Sequence, residues 1–573
     1  MVTNKYITRI ASVIMAAAVI LCLMASLFSD KLQEVYGNNA VTMKYESKLF
    51  NTDQIMDIDI LMDEDDWNNM LENAISEEYY SCNVVVNGKT FYSVGIRPKG
   101  NTSLSSIAND PDTDRYSFKL EFDHYIEGQT CYGLDKLILN NNYADATNMK
   151  EAIVYDMYQY LGVDASLYNY AKISVNGDYR GVYLALEAVE DSFMLRNYGT
   201  EDGNLYKPES MGIGGGVDGN GFPQKGEMPD GADFPQKGEM PDGEDFPQKG
   251  EMPDGEDFPQ MGEAPNGEAA DIKMGIMGGN GGADLNYTDD DLDSYSTIWD
   301  GEITDSDKKD HKRVVEALKN ISEGTDLETY MDVDNILKYM AVHTFVVNDD
   351  SLSGTMAHNY YLYEYNGKLN ILPWDYNLSF GGMSMGGGMG GQSSGATSVI
   401  NDAIDTPFSI TSFFDALLEN EEYLEQYHEY LNELVEKYVN GGEFEKTYER
   451  IRSQIDDLVG NDPTAFYSYE EYEEAANMLI EVVQLRVKSV SGQLAGTIPS
   501  TDEGQQQDSS NLIDGSDIDL SVMGSFSGGG GGNEGQGKDN GFAGTPQPFD
   551  AGDVSPISEE KADLQDSNQD SVK

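Results

Sequence analysis

Four oxygen-bearing side chains stand out by type and spacing: Asp349, Asp350, Asn359 and Asp375. All lie within residues 345–381, FVVNDDSLSGTMAHNYYLYEYNGKLNILPWDYNLSFG. Carboxylates and a carboxamide are hard oxygen donors, the set that suits Mg²⁺. A carboxylate beyond those a metal needs can act as a general base. His358 adjoins Asn359, but a lone histidine reads first as structural. A second group is Arg97-Pro98-Lys99-Gly100-Asn101-Thr102-Ser103. Its backbone N–H groups, hydroxyls and two cations could receive an anion. The same composition also fits an ordinary turn.

A hairpin must position the first group. NYYLYEY and LNILPW flank Asn366-Gly367, and Asn-Gly between alternating runs is a strong hairpin signal. It would hold Asn359 at its start and Asp375 at its end. Asp349 and Asp350 follow a helical run predicted over residues 333–347. Three backbone segments would then converge, although a hairpin with solvated acids fits the same residues.

Upstream, residues 55–62 alternate as a half-buried strand. A helix is predicted over 64–77, with Asp63 as its cap and Trp67, Met70, Leu71 and Ala74 on one face. Hairpins are predicted at 81–86/90–96 and 170–175/179–186, each around Asn-Gly. Strands at 115–122, carrying Lys119, and 134–139 lie between them. A helix over 147–161 has Glu151 in its first turn, where an acid suits the helix dipole. Glu187 precedes another short helix. Downstream, helices are predicted over 305–321, 421–439, 443–459 and 470–494. Strands with an embedded helix make an α+β layer.

The chain has 573 residues, with 36 Lys and Arg against 102 Asp and Glu, a net charge of −66. It carries no basic stripe, so nucleic-acid binding is excluded; basic partners are favoured. Sixty glycines require low-complexity segments. One is a 12-residue repeat, FPQKGEMPDGAD from Phe222 and its copies from Phe234, Phe246 and Phe258. It is too short for a helical solenoid and too rich in Pro, Gly and acid to bury a core. Composition predicts a Gly/Met loop over residues 382–395 and a disordered tail from 495.

Lys5 and Arg9 precede an uncharged apolar stretch at residues 10–28. It is long enough for a signal peptide or one spanning helix, with the following chain outside the cytoplasm. The absence of a clear cleavage motif favours an uncleaved anchor. Cys82 and Cys131 could form one disulfide, and no C-x-x-C or H-E-x-x-H motif indicates zinc. Asp289, Asp291 and Asp293 begin like a calcium loop, but Ser294 and Asp300 break its pattern.

The ordered runs IRPKGNTS, RYSFKLEF, LILNNNYADATNMKEAIVYDMYQYLG, ISVNGDYRGVYLALEAVE, NLYK and NDD…HNYYLY…LPWDYN…FG resemble the CotH family. These are atypical protein kinases similar to spore coat protein H, and the resemblance covers about residues 45–494 apart from the repeats. It implies an α+β, two-lobed kinase-like fold, with a mixed N-lobe and hinge at 45–208 and a mainly helical C-lobe at 284–494. The remaining divisions are a signal or anchor at 1–30, a disordered insertion at 209–283 and the tail at 495–573.

The implied activity is Mg²⁺- and ATP-dependent phosphorylation of Ser or Thr in a protein substrate, Ser-rich and basic, at a spore coat or cell surface. The other reading is a weakly active or inactive coat or adhesion protein on the same fold. By the resemblance, Asp350 is the catalytic-loop aspartate, with Asp349 as understudy, and Asn359 and Asp375 hold the metal. Lys119 contacts the phosphates with Glu151 as its ion-pair partner. Arg97, Lys99, Gly100, Asn101 and Thr102 approach the phosphates, and Glu187 opens the hinge facing adenine. Many relatives read PWDxD, whereas this chain has Asn377 at the second acid.

Overall fold

Three Asn-Gly pairs set the hairpins. Asn87-Gly88, Asn176-Gly177 and Asn366-Gly367 all have positive φ at both residues (49° and 78°, 53° and 87°, 54° and 85°). That geometry matches the right-handed twist of the paired strands, and Asn and Gly adopt it readily. The computed structural model describes residues 40–209, 281–383 and 395–524. The apolar stretch at 10–28 and the 12-residue repeats lie outside the described residues. Among the described residues, no helix is long and apolar enough to cross a membrane.

Seven strands close into a barrel in the order β1-β2-β3-β4-β5-β7-β6. They are β1 (Met56–Leu61), β2 (Tyr80–Val86), β3 (Lys89–Lys99), β4 (Ser117–Glu121), β5 (Lys136–Asn140), β6 (Tyr168–Val175) and β7 (Asp178–Glu187). Closure comes from a parallel pairing of β1 with β6, Met56 opposite Ala171 through Ile60 opposite Val175. Alternation fills the interior: Ile58, Ile60, Val84, Val86, Ile96, Phe118, Leu120, Leu137, Leu139 and Ile173 share one core. On the outer face, Arg97 lies opposite Lys119, and Lys99 lies opposite Ser117.

The helices include α1 (Glu64–Glu72), α2 (Thr102–Ala108), α3 (Lys150–Leu161), α4 (Asp191–Tyr198), α5 (Lys308–Ser322), α6 (Val333–Val346), α7 (Ala396–Ile400), α8 (Glu421–Glu433), α9 (Glu443–Gly460), α10 (Tyr469–Leu494) and α11 (Asp502–Gln507). A three-stranded sheet joins β8 (Asn204–Tyr206) to the predicted hairpin, β9 (Tyr360–Tyr365) and β10 (Lys368–Pro373). Its centre is held by buried Glu364, which accepts from Arg313 Nε and Nη2, both at 2.8 Å, and from Asn204 Nδ2 at 2.7 Å.

Two buried arginines tie distant segments. Arg115 donates to Asp462 at 2.8 Å, to the Val182 carbonyl at 2.6 Å and to the Asn141 carbonyl at 3.1 Å. Arg486 on α10 donates to the carbonyls of Thr344, Phe345, Ile400 and Asp402. It thereby fixes the end of α6, from which Asn348, Asp349 and Asp350 emerge. A buried charge is tolerable only with such a full set of partners.

Two expectations need correction. The two-lobed kinase-like arrangement does not describe this fold. The first part is a closed seven-stranded barrel, and the whole is a mixed α+β structure with helices and a small second sheet. The tail also does not begin at 495: residues 497–524 pack back onto the fold, with Ile498 and Met523 buried. Composition counts apolar side chains, whereas this segment is seated largely through backbone groups.

Candidate functional site

The end of α6, the start of β9 and the end of β10 bring Asp350, Asn359 and Asp375 together. Asp350 accepts from Asn359 Nδ2 at 3.0 Å and from His358 Nε2 at 2.6 Å. Asn359 Nδ2 also donates to the Asp350 carbonyl at 2.8 Å. Asp349 is exposed, whereas Asp350 is held by two side chains. Asn348 Nδ2 lies 3.4 Å from the Asp375 carbonyl.

The backbone here is strained. Val347, Ala357, Asn359, Asp375 and Phe380 all have φ between 45° and 60°. Left-handed backbone in non-glycine residues, above all at a β-branched valine, costs energy and clusters where function fixes geometry.

Lys99 comes from the end of β3. Its ammonium lies 3.4 Å from Asn140 Oδ1 and 5.8 Å from the Trp374 ring centroid. Burial depresses its pKa, while the charges of Asp375 and Glu151 push it back up. Asp375 is raised by burial and by Asp350, and Lys99 and Lys207 oppose that rise. Glu151, in the first turn of α3, accepts from Asn140 Nδ2 at 2.9 Å. Its pKa is pushed upward by burial and then by Asp375. Lys99, Glu151 and Asp375 therefore form one electrostatic unit.

Lys119 does not join it. The expected Lys119–Glu151 ion pair is absent; Lys119 Nζ pairs with Glu190 at 2.5 Å, and Lys136 pairs with the same carboxylate. Against burial, these two lysines hold Glu190 down to about 2. Lys119 on β4 and Lys99 on β3 share the outer face of the sheet, but Lys119 lies opposite Arg97, so Lys99 stands two residues further along, where Asn140 links it to Glu151. Arg97 pairs with Glu77. Gly100, with φ 130°, turns the chain from β3 into α2, and Asn101 and Thr102 are exposed there. The Glu187 side chain is occupied in the interior, accepting from Tyr45 Oη at 2.5 Å and from Arg196 Nη2 at 2.6 Å.

Three further residues, His358, Lys207 and Glu209, stand at this site without a site role assigned from the sequence. His358 is raised by Asp350, Asp375 and Glu209, although burial opposes its charge. Its adjacency to Asn359 was the available signal. Lys207, at the end of the NLYK run, acts electrostatically on both Lys99 and Asp375 and pairs with Glu209. The NLYK run does not by itself point to the site, because β8 reaches it only by pairing with β9.

The donor set fits Mg²⁺. Asp375 and Asn359 supply a carboxylate and a carboxamide, while Asn348 Oδ1 and Glu151 Oε1 are buried without a hydrogen-bond partner. Among the described residues, no three His, Cys, Asp or Glu side chains form a metal-sized cluster. Mg²⁺ needs only one or two carboxylates when phosphates and water complete its shell. Asn377 Nδ2 donates to the Tyr143 carbonyl at 2.8 Å; an aspartate there could not make that bond.

Behind the site, His343 on α6 is fully enclosed between Tyr376 Oη at 3.0 Å and Ser353 Oγ at 2.8 Å. Desolvation pushes its pKa down to about 3. The unfolded chain therefore binds the extra proton between about pH 6.5 and pH 3. The stability that neutral His343 contributes is present above that window and lost as pH falls through it. Denaturant unfolding at a series of pH values should show the wild-type advantage over His343→Asn shrinking on acidification. Parallel pH curves would contradict this placement.

A family model described as CotH kinase protein matches residues 96–490, well over half of the chain. No curated protein matches it.

Proposed function

We propose, because the chain belongs to the CotH kinase protein family, that it transfers the γ-phosphoryl group of ATP to a Ser or Thr hydroxyl in a protein. The observation that carries this reading is a pair of linkages that meet at the Asp375 segment: Lys99 through Asn140 to Glu151, and Asn359 to Asp350, with Asn348 on the Asp375 carbonyl. Phosphoryl transfer needs a cation on the phosphates, an acid for the metal and a carboxylate to orient the attacking hydroxyl.

Lys99, rather than Lys119, contacts the phosphates; Asn140 links it to Glu151, whose charge favours the ammonium. Asp375 and Asn359 would hold Mg²⁺, which neutralises phosphate charge when bound. Asp350 orients the substrate hydroxyl and takes its proton as the new P–O bond forms and ADP leaves. Asn359 and His358 fix the Asp350 carboxylate. The net charge of −66 favours a basic substrate. Lys5, Arg9 and the apolar stretch at 10–28 support a folded part outside the cytoplasm, secreted or anchored.

The test is transfer from γ-labelled ATP to a basic, Ser-rich polypeptide. Label should appear only with Mg²⁺. Asp350→Asn should lower the rate about 10²-fold or more while still binding nucleotide. Equal rates for wild type and Asp350→Asn would remove Asp350 from the chemistry.

A further inference from the structure

Residues 497–524 follow α10 and lie outside the part that the family model matches. They do not run off into solvent. Thr497 and Ile498 N–H groups both donate to the Gly492 carbonyl, at 2.9 and 3.1 Å, turning the chain back. The Ser500 carbonyl accepts from Asp405 N at 2.8 Å, and Gln505 Nε2 donates to the Asn401 carbonyl at 2.7 Å. The Asn401 side chain then reads the backbone of Ile513 twice, donating to its carbonyl at 2.8 Å and accepting from its N–H at 2.9 Å. Gly515 N donates to Thr397 Oγ1 at 3.0 Å. The Met523 carbonyl accepts from Ala146 N at 3.1 Å, and the Met523 side chain is buried.

Two glycines allow this seating. A Cβ on Gly524, whose φ is 84°, would lie 2.6 Å from the Ala144 carbonyl oxygen. A Cβ on Gly515 would lie 2.9 Å from Thr397 N. Neither position has room for a side chain. Leu520 meanwhile packs on Gly381, where a Cβ would come within 2.9 Å of its Cδ1.

The points of contact matter more than their number. Residues 143–147 lead directly into α3, which carries Glu151. Gly381 lies six residues after Asp375. Asn377 already links these two segments from inside through the Tyr143 carbonyl. Between them, Lys150 Nζ is buried without a hydrogen-bond partner, with the charge of Asp145 to offset its desolvation. Water entering here would solvate that amine and loosen the start of α3.

We propose that residues 497–524 form a strap that clamps the approach to α3 against the segment after Asp375, and so sets the distance between Glu151 and Asp375. The strap is a positioning device that acts through those two residues. Its effect on nucleotide rests on the functional reading above, whereas its effect on the loop does not. Release of the strap would loosen residues 142–151 and weaken nucleotide binding without dismantling the barrel.

The experiment uses the full chain with Gly515→Val and Gly524→Val together, and separately Met523→Ser in case the double variant folds poorly. Hydrogen exchange should show lost protection at residues 512–524 and, with it, at 142–151. The affinity for Mg²⁺ with a non-hydrolysable ATP analogue should fall about tenfold to a hundredfold, as expected for a small misplacement of positioning groups. Retained protection at 512–524 would overturn the account of the seating. Lost protection there with unchanged exchange at 142–151 would overturn the coupling. Should the wild-type chain bind no nucleotide, the functional reading fails, and exchange at 142–151 still decides the strap.

Discussion

Asp375→Asn should abolish nearly all phosphoryl transfer, a loss of about 10³-fold, while leaving the protein folded. Asparagine is the clean replacement because Asp375 has φ 60°, and Asn tolerates left-handed backbone far better than Ala. The substitution keeps the shape and removes one charge. That charge is costly in the resting protein: burial and Asp350 both raise the Asp375 pKa. Neutralising it should therefore leave thermal stability unchanged or slightly higher. Losing stability along with activity would mark Asp375 as structural. On the proposed function, the activity loss follows from removing the carboxylate that would hold the metal, a contribution of several kcal/mol to the barrier. Side-by-side melting and labelled transfer separate the two outcomes.

The second large effect distinguishes two lysines on neighbouring strands of one sheet face. On the proposed function, Lys99→Met should lower transfer by about 10²-fold or more, because the cation proposed to contact the phosphates is lost. It should also leave Asp375 and Glu151 as neighbouring acids without their shared cation, so apo stability should drop as pH rises and both ionise. Lys119→Met should have a far smaller effect on transfer. Its partner Glu190 keeps Lys136. Nucleotide affinity and rate measured for both variants give the comparison. An effect of Lys119→Met equal to that of Lys99→Met would return the phosphate role to Lys119.

The confusion between these lysines shows where sequence reading stops. Strand alternation places Arg97, Lys99 and Lys119 on one face, because Arg97 lies opposite Lys119. It cannot say which of them meets α3, since that helix arrives by tertiary packing. The hairpins were legible because Asn-Gly dictates backbone sign at two consecutive residues. The approach of Asn359 to Asp375 followed from the β9–β10 hairpin, whose turn fixes its register, and Asp350 joins them from the end of α6.

Barrel closure was not legible. The parallel pairing of β1 with β6 joins residues more than a hundred positions apart, and local alternation looks the same in an open sheet. The strap was hidden for a different reason. Gly515 and Gly524 contribute by having no side chain, and in a Gly-, Ser- and Asp-rich stretch that contribution is indistinguishable from disorder. The Asn377 departure gained a physical reading: its amide N–H₂ serves the Tyr143 carbonyl, a structural duty that a carboxylate could not perform.

Calorimetric titration of ATP into the full-length protein, with and without Mg²⁺, tests the central claim most directly. Saturable binding at one site, dependent on Mg²⁺ and weakened by Asp375→Asn, is the predicted result. Absence of any Mg²⁺-dependent nucleotide binding by the wild-type chain would contradict the account and leave a coat or adhesion protein built on this fold.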